Sequence, residues 1–227
     1  MDEYVERTIQ AIAKRDGNRD YDRELQNLIM TFGKDTWNRL EERSQTFLVS
    51  AKITFAQLIN MPDIVDYSGV CLLVTKALEV EAGKRFCTGF VNYMKEKYPW
   101  KQNKDQYPTA LISRFDKPLR PKDFTLGTLA YILCYYEDEE KSEEQKANNM
   151  TKLLEYAKAK LFPPDKSEQD INATLAFYAE EIESVKNDYR NPAAHTNELT
   201  KINAQECFDL VIDVQKLLKK MLESFII

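Results

Sequence analysis

Apolar residues recur along most of this chain at the three- and four-residue spacings of a helix face. The two most regular stripes come last. Ile171, Leu175, Tyr178, Ile182, Val185 and Tyr189 follow steps of four, three, four, three and four, and Cys207, Val211, Val214, Leu218, Met221 and Phe225 repeat the series. Such stripes pack helix on helix, and Asn203 with Glu206 three residues later predicts a capping-box start for the final helix. Upstream, Asp35 reads as the N-cap of one helix carrying Trp37, Leu40, Phe47, Ala51, Phe55 and Leu58, which Met61-Pro62 ends. A longer stripe runs from Tyr67-Ser68 to about Tyr98 through Val70, Leu73, Val74, Ala77, Leu78, Phe86, Phe90, Tyr93 and Met94, and predicts the central core helix. Glu81 falls on or beside it and reads either as a buried carboxylate with a role or, the reading preferred, as a rim residue whose carboxylate reaches water.

The remaining segments are shorter. Residues 1 to 33 read as a charged helical section broken at Asp16-Gly17-Asn18 and ending at Phe32-Gly33. Phe124 to Tyr136 predicts a buried helix, the acidic run EDEEKSEE a solvated connection, and Ser142 to Leu161 a helix stopped by Pro163-Pro164. Residues 99 to 123 hold Pro99, Pro108, Pro118 and Pro121, so they form an irregular connection or short strands. With only 6 Gly and 8 Pro, the chain has too few turn residues for an all-β protein. The expected fold is an all-α helical bundle with an N-terminal helical extension.

Length and charge narrow the possibilities. The 227 residues, 43% hydrophobic and 30% charged, suit one large domain or a smaller domain with an extension, with a buried core. The net charge of -5 provides no overall field for nucleic acid or anionic lipid, so any such contact must be local. Between Lys84 and Lys122, ten basic residues face three acidic ones, a local balance of +7, with Tyr98, Trp100, Tyr107 and Phe115 interleaved. Cations for phosphates and rings for bases are what single-stranded RNA binding uses, which makes Lys101, Lys104, Arg120 and Trp100 candidate RNA contacts. A solvated loop anchored by its aromatics is the other reading of the same segment. No apolar leader or membrane span is visible, and a cytoplasmic location is expected. Cys71, Cys87, Cys134 and Cys207 lie far apart among apolar neighbours and read as buried free thiols.

The single histidine, His195, lies in DYRNPAAHTNE at the end of the penultimate helix, five residues after Arg190. Pro192 distorts the helix there, so the two side chains can converge on one face. An imidazole can accept the proton of an RNA 2′-OH, and a guanidinium can stabilise charge developing on the phosphoryl oxygens. Acid and base roles normally need two groups. A homodimer that joins two copies of the motif supplies both. A lone histidine with no Asp/Glu cluster is a poor metal-ligand set, so no metal or other cofactor is expected.

The pattern R-N-x-x-x-H between two amphipathic helices, in a nearly all-helical chain, resembles the HEPN superfamily (higher eukaryotes and prokaryotes nucleotide-binding domain). The resemblance covers roughly residues 65 to 227, where YSGVCLLVTKALEVEAGKRF is similar to an early helix of that fold and FTLGTLAYIL to a middle one. The first 60 residues carry no such motif, which divides the chain into an extension at 1–62 and a HEPN-like domain at 63–227. The resemblance implies a metal-independent endoribonuclease of toxin, abortive-infection or CRISPR-associated type, acting on RNA as a homodimer, with an antitoxin or larger defence complex as possible partner. It makes Arg190 and His195 the active pair and gives Asn191 a supporting hydrogen bond. Some relatives in that superfamily are modified by a minimal nucleotidyltransferase on a tyrosine two residues after the histidine; Asn197 stands there instead. The rival reading is a non-catalytic helical dimerisation or interaction module built on the same face.

Overall fold

The computed structural model describes residues 18–61, 65–113, 115–120, 123–133, 142–195 and 198–226. Its regular elements are helical, and the only strand-like feature among the described residues is a lone antiparallel bridge between Ile112 and Pro118. The protein is all-α. No described helix is long and apolar enough to cross a membrane. The helices are α1 (Asn18–Phe32), α2 (Lys34–Asn38), α3 (Glu42–Leu58), α4 (Ser68–Ala82), α5 (Gly89–Lys97), α6 (Leu126–Leu133), α7 (Glu143–Tyr156), α8 (Glu168–Val185), α9 (Asn191–Ala194), α10 (Lys201–Phe208) and α11 (Leu217–Ser224). Wide i→i+5 turns at Gly83–Thr88, Ala157–Leu161, Lys186–Arg190 and Asp209–Asp213 follow α4, α7, α8 and α10. The acidic run's first part, Cys134 and Asn197 lie outside the described residues.

The chain groups into two compact units, one described over Asn18–Val80 and Asn187–Leu222, the other over Glu81–Lys186 and Glu223–Ile226. In the first, α1 packs on α3. Gly33, at φ 80°, ends α1 in the left-handed conformation open to glycine, and its N–H donates to the Ile29 carbonyl at 2.8 Å. The helix expected to run unbroken from Asp35 instead breaks at 39–41. Trp37 and Leu40 are both buried, and Gln45 Nε2 donates to the Trp37 carbonyl at 2.9 Å, satisfying an acceptor that the break exposes. Phe55 meets Tyr67 and Phe208 edge-on, with centroids 6.1 and 5.2 Å away. Cys71 and Cys207 touch in the same core; the hydrogen bond from Cys71, and then burial, hold the Cys207 thiol well above its ordinary range.

The last stripe also departs from expectation. Its cap is Thr200, whose hydroxyl accepts from Asn203 N–H while Asn203 Oδ1 accepts from Thr200 N–H, so α10 starts earlier than the Asn203/Glu206 pair predicted. The wide turn then uses an extra residue: Val214 and Gln215 N–H both donate to the Asp209 carbonyl, at 2.9 and 2.8 Å. That shift turns Val214 out to solvent at 69% exposure and brings Leu217 onto the buried face, while Cys207, Val211, Leu218, Met221 and Phe225 are buried as the stripe predicted.

In the second unit the α8 stripe reads as predicted: Ile171, Leu175, Tyr178, Ile182 and Val185 are all buried, and α8 packs against α6. Phe225 closes an aromatic cluster with Phe86 and Phe162, at 5.0 and 5.3 Å. Glu81 is not at the rim. It is fully buried and its Oε2 accepts from Arg85 Nη1 at 2.6 Å, because the pair sits one turn apart where the α4 axis enters the wide turn. Tyr156, also fully buried, stacks on Phe90 at 5.3 Å and donates its hydroxyl to the Arg85 carbonyl.

That tyrosine fixes the identity of Gly89. A Cβ at position 89 would lie 2.9 Å from Tyr156 Cζ and closer still to its hydroxyl oxygen. Gly89→Ala is expected to cost about 2–5 kcal/mol, combining overpacking with loss of a buried hydrogen bond. Urea unfolding checks this, and the same substitution at Gly69, where a Cβ meets nothing within 4 Å, serves as control.

Candidate functional site

The Arg190–His195 segment belongs to the first unit and is shaped by Pro192. Proline lacks the N–H of an i→i−4 bond, and its ring crowds the carbonyl four residues back, here that of Asp188. The wide turn Lys186–Arg190 precedes it and relieves that conflict, after which Asn191–Ala194 form a single helical turn with Arg190 at its N-cap and His195 at its C-cap. Tyr189 anchors the segment in the core. Burial, and then the neighbouring Glu206, Cys207, Asp188 and Cys71, push its hydroxyl up to about 12, so it stays neutral.

Arg190 is half-buried. Its Nη1 donates to Asn191 Oδ1 at 3.4 Å, its Nε is buried without a hydrogen-bond partner, and no carboxylate pairs with it among the described residues. His195 is exposed. Its backbone N–H donates to the carbonyls of Asn191 at 3.1 Å and Pro192 at 3.3 Å, and its imidazole makes no hydrogen bond among the described residues. The structure thus brings Arg190 and Asn191 together and leaves His195 at the far end of the turn, open to solvent. Among the described residues, no three His, Cys, Asp or Glu side chains converge as a metal site.

Sequence reasoning missed what holds the chain just beyond His195. Asp66 Oδ1 accepts from Leu199 N–H at 3.1 Å and from the Ser68 N–H and hydroxyl at 2.9 and 2.6 Å, while Tyr67 N–H donates to the Leu199 carbonyl at 2.8 Å. The start of α4 thereby clamps the residue four positions after the histidine. Desolvation acts to raise the Asp66 carboxyl, but the hydrogen bonds from Ser68 and Leu199 outweigh it and hold the carboxyl below its ordinary value. A carboxyl depressed in the folded state stabilises fully above its unfolded pKa, about 3.9, and loses that contribution as pH falls through the lower folded value. Asp66→Ala should therefore melt lower than the parent at pH 7, and the gap between their melting temperatures should narrow as the pH falls below about 4.

The basic, aromatic-bearing segment lies in the second unit. Lys104 pairs with Asp116 and lies 5.9 Å from the Trp100 ring centroid, and Lys101 is exposed. Trp100 and Arg120 line an open cleft of about 1130 Å³ with Lys95, Phe115, Lys117 and Tyr131; Lys101 and Lys104 do not line it. Arg120 is held by Asp123 through two bonds, Nε to Oδ2 at 3.0 Å and Nη2 to Oδ1 at 3.1 Å. Compared with known proteins, the chain matches no family model, no curated protein and no solved structure.

Proposed function

We propose that this chain is a metal-independent endoribonuclease of HEPN type, acting as a homodimer on single-stranded RNA. The observation that carries the reading is the state of the Arg190–His195 turn. Among the described residues, a half-buried guanidinium with no carboxylate partner and an exposed imidazole with no hydrogen bond flank one helical turn. A buried guanidinium nitrogen is ordinarily satisfied by a carboxylate or a carbonyl, so the orphaned Nε of Arg190 supports a ligand at this turn, and the exposure of His195 leaves its imidazole accessible to the same ligand. His195 takes the proton of a 2′-OH; the 2′ oxygen attacks the adjacent phosphorus; the bond to the 5′ oxygen breaks, and that oxygen gains a proton from the second subunit's imidazole. Arg190, oriented by Asn191, stabilises the charge on the phosphoryl oxygens. The products are a 2′,3′-cyclic phosphate and a 5′-OH. DNA lacks the nucleophile and is spared.

This activity suits a cytoplasmic toxin or antiphage effector, held by an antitoxin or within a larger defence complex. The deciding experiment is incubation of labelled RNA with pure protein in EDTA, followed by mass spectrometry of the ends. Cyclic phosphate ends that vanish in His195→Ala support the reading; 5′-phosphate ends, or activity lost on adding EDTA, overturn it. Mixed dimers carrying one His195→Ala subunit should lose most activity, since each composite site needs both copies. Half-activity would mean independent sites.

A further inference from the structure

The cleft in the second unit has a chemistry that the Arg190/His195 reaction does not use. Its turn is tightly closed: Ser113 N–H donates to the Lys117 carbonyl at 2.8 Å, Asp116 N–H to the Ser113 carbonyl at 2.9 Å, and Asp116 takes the left-handed conformation at φ 55°. This turn presents Phe115 and Lys117. Phe115 is 68% exposed, and Tyr131 on α6, which lines the same cleft, shows 39% of its surface. The cations divide into two kinds. Arg120 is neutralised by its two-hydrogen-bond ion pair with Asp123, whereas Lys95 and Lys117 are exposed and have no carboxylate or hydrogen-bond partner for their ammonium groups among the described residues.

We propose that this cleft binds a nucleotide unit, its base against Phe115 and Tyr131 and its phosphate at Lys95 and Lys117. Two accessible rings with two unneutralised ammonium groups in one concavity match a planar π-system bearing an anion. An acidic peptide would engage the lysines but make no use of the exposed ring surface. Base plus phosphate is common to an RNA strand and a free nucleotide. The inference rests on the ribonuclease reading only for the expected source, the strand.

The test uses the full-length His195→Ala protein, so that no cleavage disturbs equilibrium. It is titrated with a fluorescent oligouridine of roughly ten nucleotides, and separately with UMP and AMP, at low and moderate salt. Phe115→Ala should raise the oligouridine Kd about tenfold, the loss of one stacked base. Lys95→Glu with Lys117→Glu should raise it by at least as much and flatten the salt dependence, while Lys160→Glu, outside both the cleft and the basic segment, should change it by less than about twofold. All of these positions are exposed, and circular dichroism verifies folding. If UMP or AMP binds as tightly as the strand with the same sensitivity to the cleft variants, the site stands and its ligand is a free nucleotide. If both cleft variants bind like the parent, the cleft is not a nucleotide site. The ribonuclease reading fails separately: a parent that cleaves nothing but binds through the cleft sinks only that reading, and a parent that cleaves with cleft-independent binding sinks only this inference.

Discussion

RNA cleavage by the proposed mechanism is expected to fall by about 10²- to 10⁴-fold in His195→Ala, the usual cost of removing a general base. Thermal unfolding should hardly move. His195 is exposed and its side chain makes no hydrogen bond among the described residues, so truncation opens no cavity and strands no polar group. Arg190→Ala should lose activity on a similar scale, by removing the cation proposed to stabilise the phosphoryl oxygens. It also removes a buried Nε that has no partner, so its effect on stability should be small for a half-buried arginine. Arg190→Lys keeps the charge but not the planar fork, and should recover only part of the rate. Initial rates on a single-stranded RNA, beside melting curves of the same preparations, separate chemistry from folding. A variant that cleaves like the parent removes its residue from the site.

What the sequence made legible depended on whether the cause was local. The α8 stripe could be read because regular spacing and burial coincide from Ile171 to Val185. The next stripe had the same spacing, yet Val214 lies outside because one wide turn consumed a residue, and nothing in DLVID marks where i→i+5 bonding will replace i→i+4. Arg190, Asn191 and His195 were singled out as candidates by residue type and order alone. The Asp66 clamp that fixes the following chain joins residues 133 positions apart and leaves no local trace. The basic segment shows the same limit. Trp100 and Arg120 were chosen for residue type and do line the cleft; Lys101 and Lys104, chosen on the same grounds, do not. Tyr131 is one apolar residue of a buried helix in the sequence, and only the packing of α6 shows which face it occupies.

Glu81→Ala is expected to destabilise the protein by about 3–5 kcal/mol, the largest single-residue effect on stability foreseen here. Glu81 is 0% and Arg85 4% exposed, and the 2.6 Å contact between Oε2 and Nη1 sets two charges against each other away from water. Removing the carboxylate leaves a guanidinium buried without its ion-pair partner, and Arg85→Ala does the converse. For a chain of this size the loss corresponds to a drop in melting temperature of about 10 °C. Net attraction and desolvation of such a pair nearly cancel, so Glu81→Leu with Arg85→Met should recover most of the stability either single change loses. A double-mutant cycle by urea unfolding measures this, and single losses below about 1 kcal/mol would show that water reaches the pair. The same variants test whether the pair is only structural. Because Arg85 also offers its carbonyl to Tyr156, and Tyr156 packs on Gly89, the Leu/Met variant should keep the wide turn at Gly83–Thr88 and with it full RNA cleavage. A variant that folded as well as the parent but had lost cleavage would instead give the Glu81 carboxylate a part in the chemistry.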